Sequence, residues 1–238
     1  MKKVLVTGGA GYIGSACSEY LLDRGYEVTI FDALITGHRE AVDPRAKFVL
    51  GNLSDRELIK KVCREGEFDA VMHFAAFSLV GESMQNPSKY FRNNLASGIN
   101  LADAAVEGGV KNFVFSSTAA TFGQPESIPI RENDRQIPIN PYGESKLCFE
   151  KVLKWYSEIH GMFPFRSCLR NRPGGCCFRD RKTGSRRMGK RCISTMRLPA
   201  TSRWSSPENR CCPGIRRGPK CSSAAGKHRE PETASSPA

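Results

Sequence analysis

The residues Val4-Leu5-Val6-Thr7-Gly8-Gly9-Ala10-Gly11-Tyr12-Ile13-Gly14 constrain the fold more than any other stretch of the chain. A β-branched apolar run passes directly into glycines at 8, 11 and 14. It continues as Ser15-Ala16-Cys17-Ser18-Glu19-Tyr20-Leu21-Leu22, which has helical periodicity. The predicted order is strand, tight turn, helix. Glycine serves such a turn in three ways: it tolerates positive φ, lets backbone N–H groups approach a pyrophosphate, and lets the helix lie close to the strand. The helix N-terminus then offers partial positive charge to the phosphates. Glycine-rich turns are common, and most bind nothing. Here a second apolar run, Glu27-Val28-Thr29-Ile30-Phe31, ends in Asp32 at the distance that a dinucleotide-binding βαβ unit requires.

The pattern then repeats. Ala46 to Leu50 reads as a third strand, followed by Gly51-Asn52-Leu53-Ser54-Asp55, in which Ser54 or Asp55 can cap a helix from Arg56 to Glu65. Ala70-Val71-Met72-His73-Phe74-Ala75-Ala76 is a fourth strand, nearly all apolar, as a parallel strand buried on both faces should be. Its small Ala75-Ala76 end leaves room for a ligand at the carboxyl edge of the sheet. A long helix is expected from Lys89 to Glu107, closed by Gly108-Gly109. The fifth strand, Asn112 to Thr118, ends in the hydroxyls of Ser116, Ser117 and Thr118, which on a structural reading only satisfy nearby backbone.

Pro141-Tyr142-Gly143-Glu144-Ser145-Lys146 opens a helix running to about Ile159. Tyr142 and Lys146 are four apart, so they lie one turn from each other on the same helix face. A phenol of pKa about 10 is a poor base at neutral pH unless a nearby cation favours its anion. Lys146 supplies such a cation, which makes Tyr142 a candidate acid/base group for an alcohol that gives up hydride, with Thr118 sharing the hydrogen bond.

Thr7 to Ser15, Phe31-Asp32, Thr36-Gly37-His38, His73 to Ala76, Val80-Gly81-Glu82-Ser83, Asn93-Asn94, Ser116 to Thr118 and Tyr142 to Lys146 together carry a resemblance. Residues 1–162 resemble the extended short-chain dehydrogenase/reductase family, and within it the UDP-glucose 4-epimerase group. The resemblance implies an α/β domain of the Rossmann type, with a doubly wound parallel sheet, and an isomerase of nucleotide-sugar and galactose metabolism. It implies catalytic roles for Tyr142, Lys146 and Thr118. It also implies an NAD site at Gly8, Gly11, Tyr12, Ile13, Gly14, Asp32, Asn52, Leu53, Phe74, Ala75, Ala76, Asn93, Ser116, Tyr142 and Lys146. A UDP-sugar would meet Ser78, Ser83, Thr118 and Tyr142. Asp32 would hold the adenosine ribose hydroxyls and disfavour a 2′-phosphate, so NAD is expected over NADP. Asn52 stands where the family usually has Asp beside the adenine, and its carbonyl can still accept from the adenine amino group. In the family the sugar 4-hydroxyl is oxidised to a 4-keto sugar, which turns over in the site and is reduced on its other face. Members are commonly homodimers through the helices after strands four and five. A dehydratase of the same superfamily would normally carry acidic residues after the serine–threonine strand end, where this chain has Ala119-Ala120. A reductase of that superfamily and a non-catalytic NAD-binding module compete with the epimerase, and only the module would keep its function without the Tyr142 phenol.

Composition separates the rest of the chain. The net charge of +12 suggests a nucleic-acid partner, but residues 1–162 hold 18 of the 36 bases and 20 of the 24 acids, a net of −2. Residues 163–238 hold 18 bases and 4 acids, a net of +14, together with seven of the ten cysteines. The family pattern stops at Met162, and the expectation is a domain at 1–162 followed by a disordered basic tail at 163–238 in place of the C-terminal substrate domain. On that reading the fifth strand lacks its next neighbour, and the chain is inactive or impaired. The abrupt change suits an out-of-frame translation, which reading the coding DNA in its other two frames would test. Cys176-Cys177 and Cys211-Cys212 lack the separation of usual zinc knuckles, so no metal is expected. No specific nucleic-acid partner is expected either, because no aromatic residues interleave the arginines. No stretch has the length of a membrane span or the form of a secretory signal, and the expected location is cytoplasmic, with free thiols.

Overall fold

The computed structural model describes residues 2–131, 133–167, 177–179 and 186–188. Six strands form one parallel sheet: β1 (Lys3–Thr7), β2 (Glu27–Asp32), β3 (Lys47–Leu50), β4 (Ala70–His73), β5 (Asn112–Ser116) and β6 (Phe163–Ser167). Their order is β3-β2-β1-β4-β5-β6, so the chain winds outward one way from β1 and returns to wind the other way from β4. Between strands lie the helices α1 (Tyr12–Leu22), α2 (Arg56–Gly66), α3 (Val80–Gln85), α4 (Pro87–Tyr90), α5 (Ser97–Glu107) and α6 (Pro141–His160). A separate antiparallel pair joins β7 (Cys177–Arg179) and β8 (Arg186–Met188). Among the described residues, no helix is long and apolar enough to cross a membrane.

Alternation along the strands builds two cores. Leu5, Phe31, Val71, Phe113 and Phe115 point to one face and pack with Ile59 and Cys63 of α2, Leu101 and Ala105 of α5, and Phe149 and Leu153 of α6. Their neighbours Val4, Val6, Ile30, Ala70, Met72 and Val114 point to the other and pack with Cys17 and Leu21 of α1. Every strand of the inner four is therefore apolar on both sides, which is why it reads as a continuous hydrophobic run. α5 and α6 approach closely at Gly98, where an added Cβ would stand 3.0 Å from the Phe149 ring. Burial pushes the thiols of Cys17 and Cys63 up to about 12, so neither is a reactive thiolate at neutral pH.

Three expectations need correction. The helix expected from Lys89 to Glu107 is not uniform: α4 passes into a wide π turn over Phe91–Ala96 before α5 begins. The widening seats Asn94, whose carboxamide takes the backbone of Phe77 across a separation of 17 residues. The fourth and fifth strands stop at His73 and Ser116, short of Ala76 and Thr118. Phe74 and Ala75 both donate N–H to the Thr7 carbonyl, which turns the chain out of the sheet. Finally, β5 does not lose its neighbour. β6 pairs with it from Asn112↔Phe163 to Ser116↔Ser167, so the sheet continues past residue 162. A parallel edge strand needs only a few extended residues, and Pro164 is tolerable at such an edge because one side of the strand owes no ladder bond. Between Ser54 and Asp55 the helix cap falls to Asp55, whose carboxylate accepts from Leu58 N–H at 3.0 Å. The disordered tail expected over 163–238 is corrected where β6, β7 and β8 stand within it; its other residues, Cys176, Cys211 and Cys212 among them, lie outside the described residues, and the expected absence of a metal and of a nucleic-acid partner, like the shifted frame, stays an expectation.

Candidate active site

The crevice opens where the winding reverses, at the carboxyl ends of β1 and β4, the position at which open α/β sheets bind ligands. Gly8 has φ +75, and a Cβ there would stand 2.5 Å from the Ala75 nitrogen, so only glycine fits. Gly8 N–H donates to Phe31 O at 3.0 Å, and Gly11 N–H to Gly8 O at 3.2 Å, which closes the turn. A Cβ at Gly14 would lie 2.2 Å from Gly8 O. α1 starts at Tyr12 with Gly11 as its cap residue and no side-chain cap, which leaves the helix N-terminus to an incoming anion.

Asp32 ends β2 beside this turn and is buried. One carboxylate oxygen accepts from Ala10 N–H at 2.9 Å and the other from Leu34 N–H at 2.8 Å. Leu34 itself has φ +52, an uncommon conformation for leucine that this bond holds in place. Asn52 Oδ1 accepts from Ser54 N–H at 2.9 Å, so one of its two lone pairs serves the loop.

A cavity of about 340 Å³ joins these parts. It is lined by Gly8, Gly11, Tyr12, Ile13, Gly14, Asp32, Asn52, Leu53, Phe74, Ala75, Ala76, Ser78 and Asn93 of the expected site residues, and also by Phe31, Ile35, Thr36, Gly37 and Phe77. Ser83, Ser116, Thr118, Tyr142 and Lys146 are not in its lining. Ser83 is fully buried and donates its hydroxyl to Val80 O at 2.6 Å, so it closes a helical turn.

The second group sits on α6, whose start is fixed by Asn140 accepting from Gly143 N–H at 2.8 Å and by Pro141 in the first turn. Lys146 is only 3 % exposed and donates to the Ser116 carbonyl at 3.1 Å, with its ammonium 4.7 Å from the centre of the Phe115 ring. Burial brings its pKa down to about 7, partly offset by the charge of Glu150. Tyr142, one turn earlier, packs edge-on against Tyr90 at 6.4 Å between ring centres. Tyr90 is buried, donates to Leu79 O at 2.7 Å and meets a Glu82 carboxylate oxygen at 2.8 Å. Its phenol is pushed up to about 12, chiefly by burial and then by Glu82, and stays protonated. Thr118 Oγ1 accepts from Ala120 N–H at 3.2 Å, which leaves its hydroxyl hydrogen to donate elsewhere.

Asn94 escaped the sequence reading of the site. It takes Phe77 N–H and O and donates to Ser145 Oγ at 3.2 Å, so one buried carboxamide ties the loop after β4 to the helix that carries Tyr142. Its signal was a polar residue on the inward face of a helical run.

His73 is a structural histidine. Its Nδ1 lies 2.8 Å from Thr7 Oγ1, and the rings of Phe113, Phe115 and Phe149 surround it. Burial, with a smaller contribution from the Lys146 charge, pushes it down to about 3 from the usual 6.5. The unfolded chain therefore binds a proton below about pH 6.5 that the folded chain refuses until about pH 3. The stability this group contributes is complete above 6.5 and is lost as pH falls through that window, at about 1.4 kcal/mol per pH unit. Urea unfolding midpoints from pH 7 to 4 are expected to fall more steeply for the parent chain than for His73→Phe. Equal slopes would contradict the assignment.

Comparison with known proteins agrees with the fold. The model of the NAD dependent epimerase/dehydratase family matches residues 4–175. The chain belongs to that family. Among relatives, the UDP-glucose 4-epimerase of Streptococcus mutans is 55% identical over 161 residues, covering 67% of this chain and 48% of the relative. That of Lacticaseibacillus casei is 50% identical over 159 residues, with 67% and 48% covered. Among solved structures, the UDP-glucose 4-epimerase from Brucella ovis in complex with NAD superposes with a TM-score of 0.69 at 40% identity, covering 71% of this chain and 51% of that one. The Thermotoga maritima enzyme with UDP-glucose gives 0.67 at 30% identity, with 73% and 59% covered. This epimerase/dehydratase chain thus spans about half the length of the curated relatives it matches.

Proposed function

We propose that residues 1–162 are the NAD-binding and acid/base half of a UDP-glucose 4-epimerase. The observation that carries this is Tyr142 one helical turn before a buried Lys146 that is held to the end of β5, on a helix that Asn94 ties to Phe77 of the crevice lining. The residues fit NAD: glycine at 8 and 14 lets the turn, the loop after β4 and α1 pack backbone against backbone, so the uncapped N-terminus of α1 can face the pyrophosphate, and the fixed Asp32 carboxylate accepts the ribose hydroxyls. When bound, NAD supplies the hydride acceptor and returns the hydride in the same turnover. Tyr142 takes and returns the proton of the sugar 4-hydroxyl, Lys146 favours the phenolate as its counter-charge, and Thr118 orients the hydroxyl. The match to UDP-glucose 4-epimerases favours a UDP-hexose over other nucleotide sugars. A homodimer is the family's habit and is proposed only for a complete chain.

The 238-residue chain is expected to bind NAD weakly and to show little or no epimerisation, because the family match ends at residue 175 and covers about half of each relative. Native mass spectrometry of the purified chain titrated with NAD, beside a coupled assay with UDP-galactose, tests both parts. One saturable NAD per chain is the expected result. Absence of NAD binding overturns the site, and near-normal turnover overturns the statement about impairment.

A further inference from the structure

Glu150 is a carboxylate in the wrong place for a surface helix. It lies on the buried face of α6 with Lys146, Leu147, Phe149 and Leu153, and it is only 8 % exposed. Its two oxygens are used by different segments. One accepts from the hydroxyl of Ser117, the residue after β5. The other accepts from Gln136 Nε2 at 3.2 Å, and the same Gln136 amide reaches Thr121 Oγ1 at 3.3 Å. Thr121 in turn donates to the Thr118 carbonyl at 2.8 Å. A single carboxylate thus gathers the end of β5, the short turn behind Thr118 and the segment leading into α6.

Glu150 also stands one helical turn beyond Lys146, as Tyr142 stands one turn before it. A buried ammonium and a buried carboxylate at that spacing are each costly alone and compensate one another. Facing Lys146 from β4 is His73, whose imidazole is neutral above about pH 3, and from β5 come the Phe115 ring and the Ser116 carbonyl. Glu150 is the anion whose charge opposes the effect of burial on Lys146.

We propose that Glu150 is a positioning residue for the acid/base pair: its carboxylate is the counter-charge that keeps Lys146 cationic, and the same carboxylate anchors the turn that presents Thr118. The inference rests on the reading of Tyr142 and Lys146 as that pair. Without the carboxylate the ammonium would give up its proton more readily, and the phenolate of Tyr142 would lose its partner.

The test uses the full chain labelled with ¹³C and ¹⁵N in lysine and glutamate, followed by NMR from pH 5 to 10. The Lys146 signal is assigned by its loss in Lys146→Met. In the parent chain Lys146 is expected to titrate near pH 7. In Glu150→Gln, which keeps the side-chain length and an oxygen acceptor but removes the charge, the midpoint is expected to fall by about one pH unit or more. Glu150→Asp retains the charge and is expected to return most of that shift. An unchanged midpoint in a folded Glu150→Gln chain would overturn the proposal. Should that variant fail to fold, the parent chain still decides: the Glu150 carboxylate ¹³C signal is expected to show an inflection at the Lys146 midpoint, and a flat trace there would overturn it. NAD titration of the same samples separates the two readings. Coupling without NAD binding removes the proposed function, whereas NAD binding without coupling removes only the role of Glu150.

Discussion

Joined after Met162 to the C-terminal half of a UDP-glucose 4-epimerase such as that of Streptococcus mutans, the chain is expected to gain UDP-galactose turnover by about 10³-fold or more over the 238-residue form. The reason is positional. Tyr142 and Lys146 are already set by α6, but the proton transfer needs a sugar held within reach of the phenol, and correct placement of reacting groups is worth several kcal/mol. The matched region supplies one half of each relative, so a partner half is what the experiment adds. In the chimera, Tyr142→Phe is expected to remove about 10²–10⁴-fold of the turnover while sparing most of the bound NAD, since in the proposed mechanism the phenol oxygen carries the proton and the ring still packs against Tyr90. A coupled assay with released-nucleotide analysis reads both. A chimera that binds NAD and is indifferent to Tyr142→Phe would point instead to a non-catalytic nucleotide-sensing module.

Gly14→Ala is expected to weaken NAD binding by about 10²-fold in the same chain, the upper end of the roughly 1–3 kcal/mol that overpacking costs. The added methyl carbon would begin 2.2 Å from the Gly8 carbonyl oxygen and 2.8 Å from the Gly9 Cα. Both neighbours are backbone, and Gly8 cannot yield because Ala75 and the Phe31 carbonyl hold it from the other side. α1 must therefore move outward, carrying its N-terminal amides away from the phosphates. Isothermal titration with NAD, with far-ultraviolet circular dichroism to confirm folding, checks it. Parental affinity in a folded variant would show that the helix N-terminus does not grip the cofactor.

Much of this was legible in the sequence because its causes are local. The glycine spacing at 8, 11 and 14 reports a turn whose steric demands involve its own backbone, and the apolar runs at β1, β2, β4 and β5 report strands covered on both faces. Tyr142 and Lys146 were visible because four residues make one helical turn. What escaped was set by distant partners. The π turn at Phe91–Ala96 exists where Asn94 reaches Phe77, and nothing in the intervening residues encodes that bond. α3 is six residues long, too short to display a period. β6 was missed because the change of composition after Met162 outweighed the alternation of Phe163 and Phe165 around a proline. Glu150 was hidden in a different way: its position on the helix was plain, but its meaning depends on Ser117 and Gln136 arriving from elsewhere in the chain.

The Asp32 carboxylate does structural duty before any cofactor arrives, since it ties down both Ala10 and Leu34. Redesigning this protein for a 2′-phosphorylated dinucleotide by removing the acid alone would strand two amide hydrogens and release a leucine from its left-handed backbone conformation. On the proposed role of Asp32, preference between the two coenzymes is welded to the shape of the loop, and both have to be rebuilt together.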